Sequence, residues 1–156
     1  CDEPGNTAAR EKLMLAATQG GIAFSNSSVT LIHGMSRPIG AFYHVPHGLS
    51  NAMLMPAVTE YSLPGAQKRY ADCARAMGLA NNADSDTSAG IKLLDGLYQL
   101  NEDLSVPTPK AFGIDAGDYN ANLQKMAEQA LASGSPNNNP VVPSADEIIS
   151  LYQKVY

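Results

Sequence analysis

The sequence has no tryptophan, only two cysteines and little charge. Asp, Glu, Lys and Arg together make up 16% of its 156 residues, against about 25% in an ordinary soluble protein. Each shortage excludes something. Scarce charge beside 44% apolar residues is the reverse of the composition that keeps a chain disordered. No apolar run approaches the ~20 residues needed to span a bilayer, and the opening residues give no expectation of a signal peptide. Fifteen acidic against ten basic side chains give a formal net charge of -5 without a basic cluster. Neither nucleic acid nor an anionic membrane is therefore expected as the main partner. Cys1 and Cys73 are too few for a disulfide framework, which points to a reducing cytoplasm. Cys73 reads as a small buried apolar residue.

The length suits one domain, able to hide roughly 70% of its unfolded surface. A first residue that is Cys rather than Met, followed by the polar Asp2-Glu3-Pro4-Gly5-Asn6, gives the expectation of a piece cut from something longer.

Strand patterning is nearly absent, whereas helical spacing recurs throughout. A first helix is expected from about Thr7 to Asn26 after a Gly-Asn-Thr cap. Its Leu13, Ala16, Ala17, Gly20, Gly21 and Phe24 form an apolar face with small residues, suited to close approach by a neighbour. A second helix runs from Ser28 to about Arg37, where Pro38 ends it. Pro46 opens a third that continues toward Ser62, with Pro56 kinking it or ending it early. Ala66 to Met77 follows, with Tyr70, Cys73, Ala74 and Met77 on one face and Gly78 as the stop. Thr87 to Leu104 carries Leu93, Leu97, Leu100 and Leu104 with Ile91, Leu94 and Tyr98 beside them, an apolar surface wide enough for packing on more than one side. Lys110 to Asp115 is expected to be irregular. A helix from roughly Gly117 to Ser133 turns Leu123, Met126, Ala127, Ala130 and Leu131 inward. After a turn cluster at 135–140, Ser144-Ala-Asp-Glu147 matches a capping box. Ile148, Leu151, Tyr152 and Val155 form the last apolar face. The sum is an all-α domain of about seven helices.

All three histidines, His33, His44 and His47, fall within fifteen residues. His33 belongs to the second helix and His47 to the start of the third, and the Pro38–Pro46 turn folds those two positions toward each other. Neutral imidazole is a good ligand for iron, zinc, copper or nickel, and a helix start leaves free backbone donors. A single helical histidine is as readily a core or surface residue with a satisfied hydrogen bond. Two also do not complete a site, because zinc or iron takes at least four ligands.

The runs His33-Gly-Met-Ser-Arg37, Gly40-Ala-Phe-Tyr43, Val45-Pro-His-Gly48 and Asn51-Ala-Met-Leu-Met-Pro56 resemble the signature of the iron-containing (group III) alcohol dehydrogenases. The Ala-Arg-Glu-Lys-Leu-Met helix, the Gly-Ile-Ala-Phe-Ser-Asn segment and the capped final helix resemble the same family's C-terminal region, so the similarity covers essentially the whole chain. It implies an all-α, multi-helix domain of the dehydroquinate synthase-like fold over residues 1–156. It also implies an N-terminal dinucleotide-binding domain absent from this chain, with a divalent metal in the cleft between the two. The metal, iron first and zinc second, would take His33 and His47 plus an aspartate and a histidine from upstream. NAD or NADP would be bound mainly by the missing domain, the substrate would be a small alcohol or aldehyde, and the assembly a homo-oligomer. The fragment alone is expected to be inactive.

One position departs from the pattern. Most members carry a histidine four residues after the first ligand, near the nicotinamide and substrate, where this chain has Arg37 followed by Pro38. An arginine cannot serve as an ordinary proton shuttle; it either binds an anionic substrate group or cofactor phosphate, or forms a salt bridge at the domain interface. His44 stands where the family often has asparagine and reads as a pocket-lining or surface residue, not a ligand. Phe42 either shapes the substrate pocket or belongs to the core. The alternative to the dehydrogenase reading is a stand-alone helical module for metal binding or oligomerisation.

Overall fold

The structure, a computed structural model, describes residues 3–156. Eight α-helices account for most of them: α1 (Thr7–Ser27), α2 (Leu31–Tyr43), α3 (His47–Ser62), α4 (Gln67–Ala76), α5 (Asp86–Asp103), α6 (Pro109–Phe112), α7 (Ala116–Ala132) and α8 (Ala145–Val155). Two short 3-10 turns, Leu63–Gly65 and Ser135–Asn138, complete the order, and there is no strand among the described residues. The class is all-α, as the helical spacing required.

The starts of the helices are set by side chains that satisfy otherwise unpaired backbone donors. Asn6 accepts from the Ala9 amide at 3.0 Å, Ser85 from Ser88 at 3.2 Å and Asp115 from Asp118 at 2.9 Å. The capping box is complete: Ser144 Oγ accepts from the Glu147 amide, and the Glu147 carboxylate accepts from the Ser144 amide at 2.8 Å.

The main core lies between α2, α3, α7 and α8. Leu31, Met35 and Ile39 of α2, Leu54 and Val58 of α3, Tyr119 and Met126 of α7, and Ile148 and Tyr152 of α8 are almost fully buried. Each such side chain contributes roughly 1.5–3 kcal/mol relative to exposure. Two buried phenols tie the helices together. Tyr152 donates to the Met35 carbonyl at 2.7 Å, and Tyr119 donates to the Tyr152 carbonyl at 3.1 Å. A second, smaller cluster of Ala71, Ala74, Ala89, Leu93 and Leu97 joins α4 to α5.

Several local expectations are corrected. Helix α2 does not end before Pro38 but runs through it to Tyr43. Proline removes one intrahelical bond, yet Pro38 and its neighbour Ile39 are buried on a helix that packs against α3 and α7, and that packing outweighs the lost bond. The same holds at Pro56, buried in the interior of α3. Residues 109–112 form a single helical turn capped by Thr108 rather than irregular chain. Cys73 is exposed, not buried, because Ala71 and Ala74 take the inward face of α4. On α5 only the Leu93 and Leu97 side is covered, while Ile91, Tyr98, Leu100 and Leu104 are exposed.

The largest correction is α1. None of its residues is buried, and Leu13, Met14, Leu15, Ile22 and Phe24 are all more than half exposed. Its apolar residues lie on every side of the helix rather than along one stripe. Such a helix is normally enclosed by neighbours, and the described residues supply none.

Candidate metal and substrate site

Helix α2 places His33, Arg37, Ala41 and His44 along one stripe, since residues three and four apart face the same way. His44 caps the helix in the left-handed conformation (φ 55°), with its amide bonded to the Gly40 carbonyl at 3.0 Å. That residue reverses the chain, Val45 is buried beneath the turn, and α3 begins at His47. The reversal brings the His33 and His47 rings to 5.2 Å between centroids, tilted by 55°. The seryl hydroxyls three residues on from each histidine donate back to its carbonyl, Ser36 to His33 at 3.3 Å and Ser50 to His47 at 3.0 Å. Both turns are thereby tied locally.

The electrostatics suit ligation. The His33 pKa lies below its ordinary value of about 6.5, first because burial disfavours the cation and then because His47 and Arg37 oppose a further positive charge. His33 is therefore neutral at pH 7, with a lone pair to donate. His47 Nε2 accepts a hydrogen bond from Asn51 Nδ2 at 3.1 Å, while Asn51 Oδ1 is buried without a partner. Asn51 carries no motif that marks it as a partner of His47. The i,i+4 spacing from His47 on one helix was the available signal.

The pair fits a metal in part. Metal–nitrogen bonds of about 2.0–2.1 Å place the centres of two imidazoles on one tetrahedral ion ~5 Å apart, close to the separation found here. Among the described residues, however, no group of three or more His, Cys, Asp or Glu side chains gathers at one point. This chain offers two nitrogen donors and needs others to complete a site.

The remaining candidates are placed as follows. Arg37 is exposed, one turn beyond His33 on the same face. His44 is exposed at the end of α2. Phe42, nine residues from His33 and so about half a turn round the helix, is half-buried against α7. The Lys125 ammonium stands 5.3 Å from its ring centroid and Tyr43 packs beside it. The structure thus groups His33, His47, Arg37 and Asn51, and sets Phe42 on another side of α2.

An all-helical domain with two histidines gathered at one helix junction is the class that fold and site define. The sequence profile of the Fe-containing alcohol dehydrogenase family, C-terminal, matches residues 1–156. The chain belongs to that family, as its C-terminal part. It is 32% identical over 152 residues to the lactaldehyde reductase of Escherichia coli (strain K12), covering 97% of this chain and 39% of that protein. Among solved structures, a 1,3-propanediol oxidoreductase superposes with a TM-score of 0.90 at 29% identity, over 97% of this chain and 39% of the other. The alcohol dehydrogenase from Oenococcus oeni does so with a TM-score of 0.88 at 32% identity, over the same shares. The chain therefore spans about two fifths of the length of the relatives it matches.

Proposed function

We propose that this chain is the helical, metal-binding part of a nicotinamide-dependent alcohol dehydrogenase that interconverts an alcohol and an aldehyde or ketone. The observation that carries the reading is the His33–His47 pair, two imidazoles from different helices held 5.2 Å apart. His33 and His47 would hold a divalent metal there, iron first and zinc second, which would supply Lewis acidity to the substrate oxygen, with NAD or NADP as the hydride carrier. The two histidines would contribute imidazole nitrogens, and Asn51 fixes the ring of His47. Arg37 holds a permanent positive charge and so cannot move protons.

Three features support placing the chain within a larger assembly. The relatives are more than twice its length, the histidine pair is short of ligands, and α1 leaves its apolar side chains uncovered. We assign the cover to an N-terminal domain of the intact protein, and further apolar surface on α5 to contacts between copies. No helix among the described residues is long and apolar enough to cross a membrane. An exposed free thiol at Cys73 suits a reducing cytoplasm.

The test is metal content and turnover of the intact natural protein, wild type against His33→Ala and His47→Ala. Each variant is expected to lose most of its bound metal and alcohol oxidation together. Metal retained at wild-type level in both variants would sink the proposal. The 156-residue chain by itself is expected to show no turnover.

A further inference from the structure

We propose that Arg37 makes this site selective for an anionic substrate, pairing its guanidinium with a carboxylate next to the reacting carbon, so that the substrates are small hydroxy and oxo acids. This rests on the metal-dependent reading above and narrows its substrate class.

Lys68, Arg75, Lys92 and Lys154 are each paired with a carboxylate at 2.6–3.1 Å, Arg75 also donates to two backbone carbonyls, and Lys125 stands over the Phe42 ring. Arg10, Lys12, Arg37, Arg69 and Lys110 have no ion pair among the described residues. What sets Arg37 apart from the other four is its place, because its charge acts on His33. It is not a solvated charge on a remote face. It lies one helical turn from His33, with Cβ atoms about 5–6 Å apart on the same side of α2, and His33 is in turn packed against His47.

A guanidinium beside an ion-binding pair is electrostatically unfavourable unless an anion lies between them. The charge cannot be relieved by deprotonation, because arginine stays protonated in proteins. A pocket for a plain alkyl alcohol would gain from an apolar or small residue here, since facing a charge with hydrocarbon removes water from it without replacement. A hydroxy or oxo acid resolves both problems in one molecule. Its reacting oxygen faces the histidine pair, and its carboxylate takes the forked donors of the guanidinium, a geometry arginine favours. The same oxyanion chemistry could be offered by a cofactor phosphate, and the experiment separates the two.

The experiment uses the intact natural protein, metal-loaded, as wild type, Arg37→Ala and Arg37→Lys. Glyoxylate and glycolaldehyde are the matched anionic and neutral probes, and glycolate binding without cofactor is read by calorimetry. The ratio of kcat/KM for glyoxylate over glycolaldehyde is expected to favour the acid in wild type. In Arg37→Ala it should fall by about tenfold to a hundredfold, the range for a lost hydrogen bond between charged groups. The Kd of glycolate should rise by a similar factor, and Arg37→Lys should recover part of both because it keeps charge without the fork. A ratio and a glycolate Kd that stay within twofold in Arg37→Ala overturn the proposal. So does a rise confined to the KM of NADPH, which would give the guanidinium to the cofactor. If His33→Ala abolishes turnover in the same preparation, only the substrate assignment has failed; if it does not, the metal-dependent reading falls as well.

Discussion

Asn51 donates from Nδ2 to Nε2 of His47 at 3.1 Å, across a single turn of α3. One ring nitrogen of His47 is thereby engaged, which fixes the plane of the imidazole. Because a neutral ring has a single lone pair, ligation through Nδ1 requires the Asn51 amide to turn over, so that its unpartnered Oδ1 accepts from Nε2–H. Asn51→Ala is expected to weaken metal retention by about 10–100-fold, as loss of an outer partner typically does. Thermal stability should change little, because the substitution also deletes Oδ1, a buried acceptor with nothing to accept. Chelator competition and calorimetry on the intact protein measure the two effects separately. Unaltered metal retention would show that His47 needs no such support.

The tyrosines that tie the main core predict how it fails at high pH. Burial raises the pKa of Tyr119, with smaller contributions from Tyr43 and Tyr156, and raises that of Tyr152, with a contribution from Tyr119. Both lie above the ordinary value of about 10. Since the folded state holds these protons more tightly than the unfolded one, the stability they contribute is complete below pH ~10 and is lost as pH rises above it. Neither phenolate could donate the hydrogen bond its hydroxyl now makes. Tyrosinate absorbance of these two residues should therefore appear together with loss of helical circular dichroism. Their ionisation near pH 10 with helicity intact would contradict this.

Glycine substitutions should differ according to what the new methyl meets. A Cβ on Gly65 would come within 2.7 Å of the Pro140 carbonyl carbon, which is backbone and cannot swing aside. One on Gly90 would meet only the tip of Leu63, at 2.7 Å from Cδ2. Gly65→Ala is expected to cost about 1–3 kcal/mol. Gly90→Ala should cost less, since better helix propensity offsets up to about 1 kcal/mol. Denaturant midpoints would settle the order, and a reversed order would refute it.

Removing α1 should leave the rest standing. A chain beginning at Ser28 keeps the hydrogen bonds from Asn138 to Ser28 Oγ and the Val29 carbonyl and loses no buried side chain. Its Tm should stay within about 2–4 °C, the shift that ~1 kcal/mol gives in a domain of this size. It should also self-associate less, having shed the exposed Leu13, Met14, Leu15 and Phe24. A collapse in Tm would mean that α1 supports the core in a way its exposure conceals.

Much of the fold was legible because its signals are local. Asn6, Ser144 and Glu147 mark helix starts through bonds to residues three positions away, and periodicity alone identifies Leu123, Met126 and Ile148 as core. The same locality misleads at Pro38, where the deciding fact is burial, which local sequence does not encode. It misleads again on α1, whose apolar residues were read as a face packed on a neighbour that the described residues do not contain. At the site, the approach of His33 to His47 was expected from a turn over Pro38–Pro46, whereas residues 38–43 are helical and the chain reverses only at His44, just before Pro46. The role of Asn51 was written only as a spacing and passed unnoticed. Arg37 was visible as a departure, but its lack of any partner could be established only in three dimensions.

The division of the interior into two clusters has a consequence for how the molecule breathes. The α4–α5 hairpin is held by three alanines and two leucines, whereas α2, α3, α7 and α8 share a core of large side chains and two buried phenolic hydrogen bonds. Fewer buried apolar groups mean a lower free energy of local opening. Amide protons of α4 and α5 should therefore exchange through excursions in which the rest of the body stays closed, with His33 and His47 still opposite one another. The hairpin is thus the part of this chain most able to drift in sequence or lengthen, its ties to the histidine-bearing α3 being the Asn101 bond to the Ala52 carbonyl and Met55 against its small cluster.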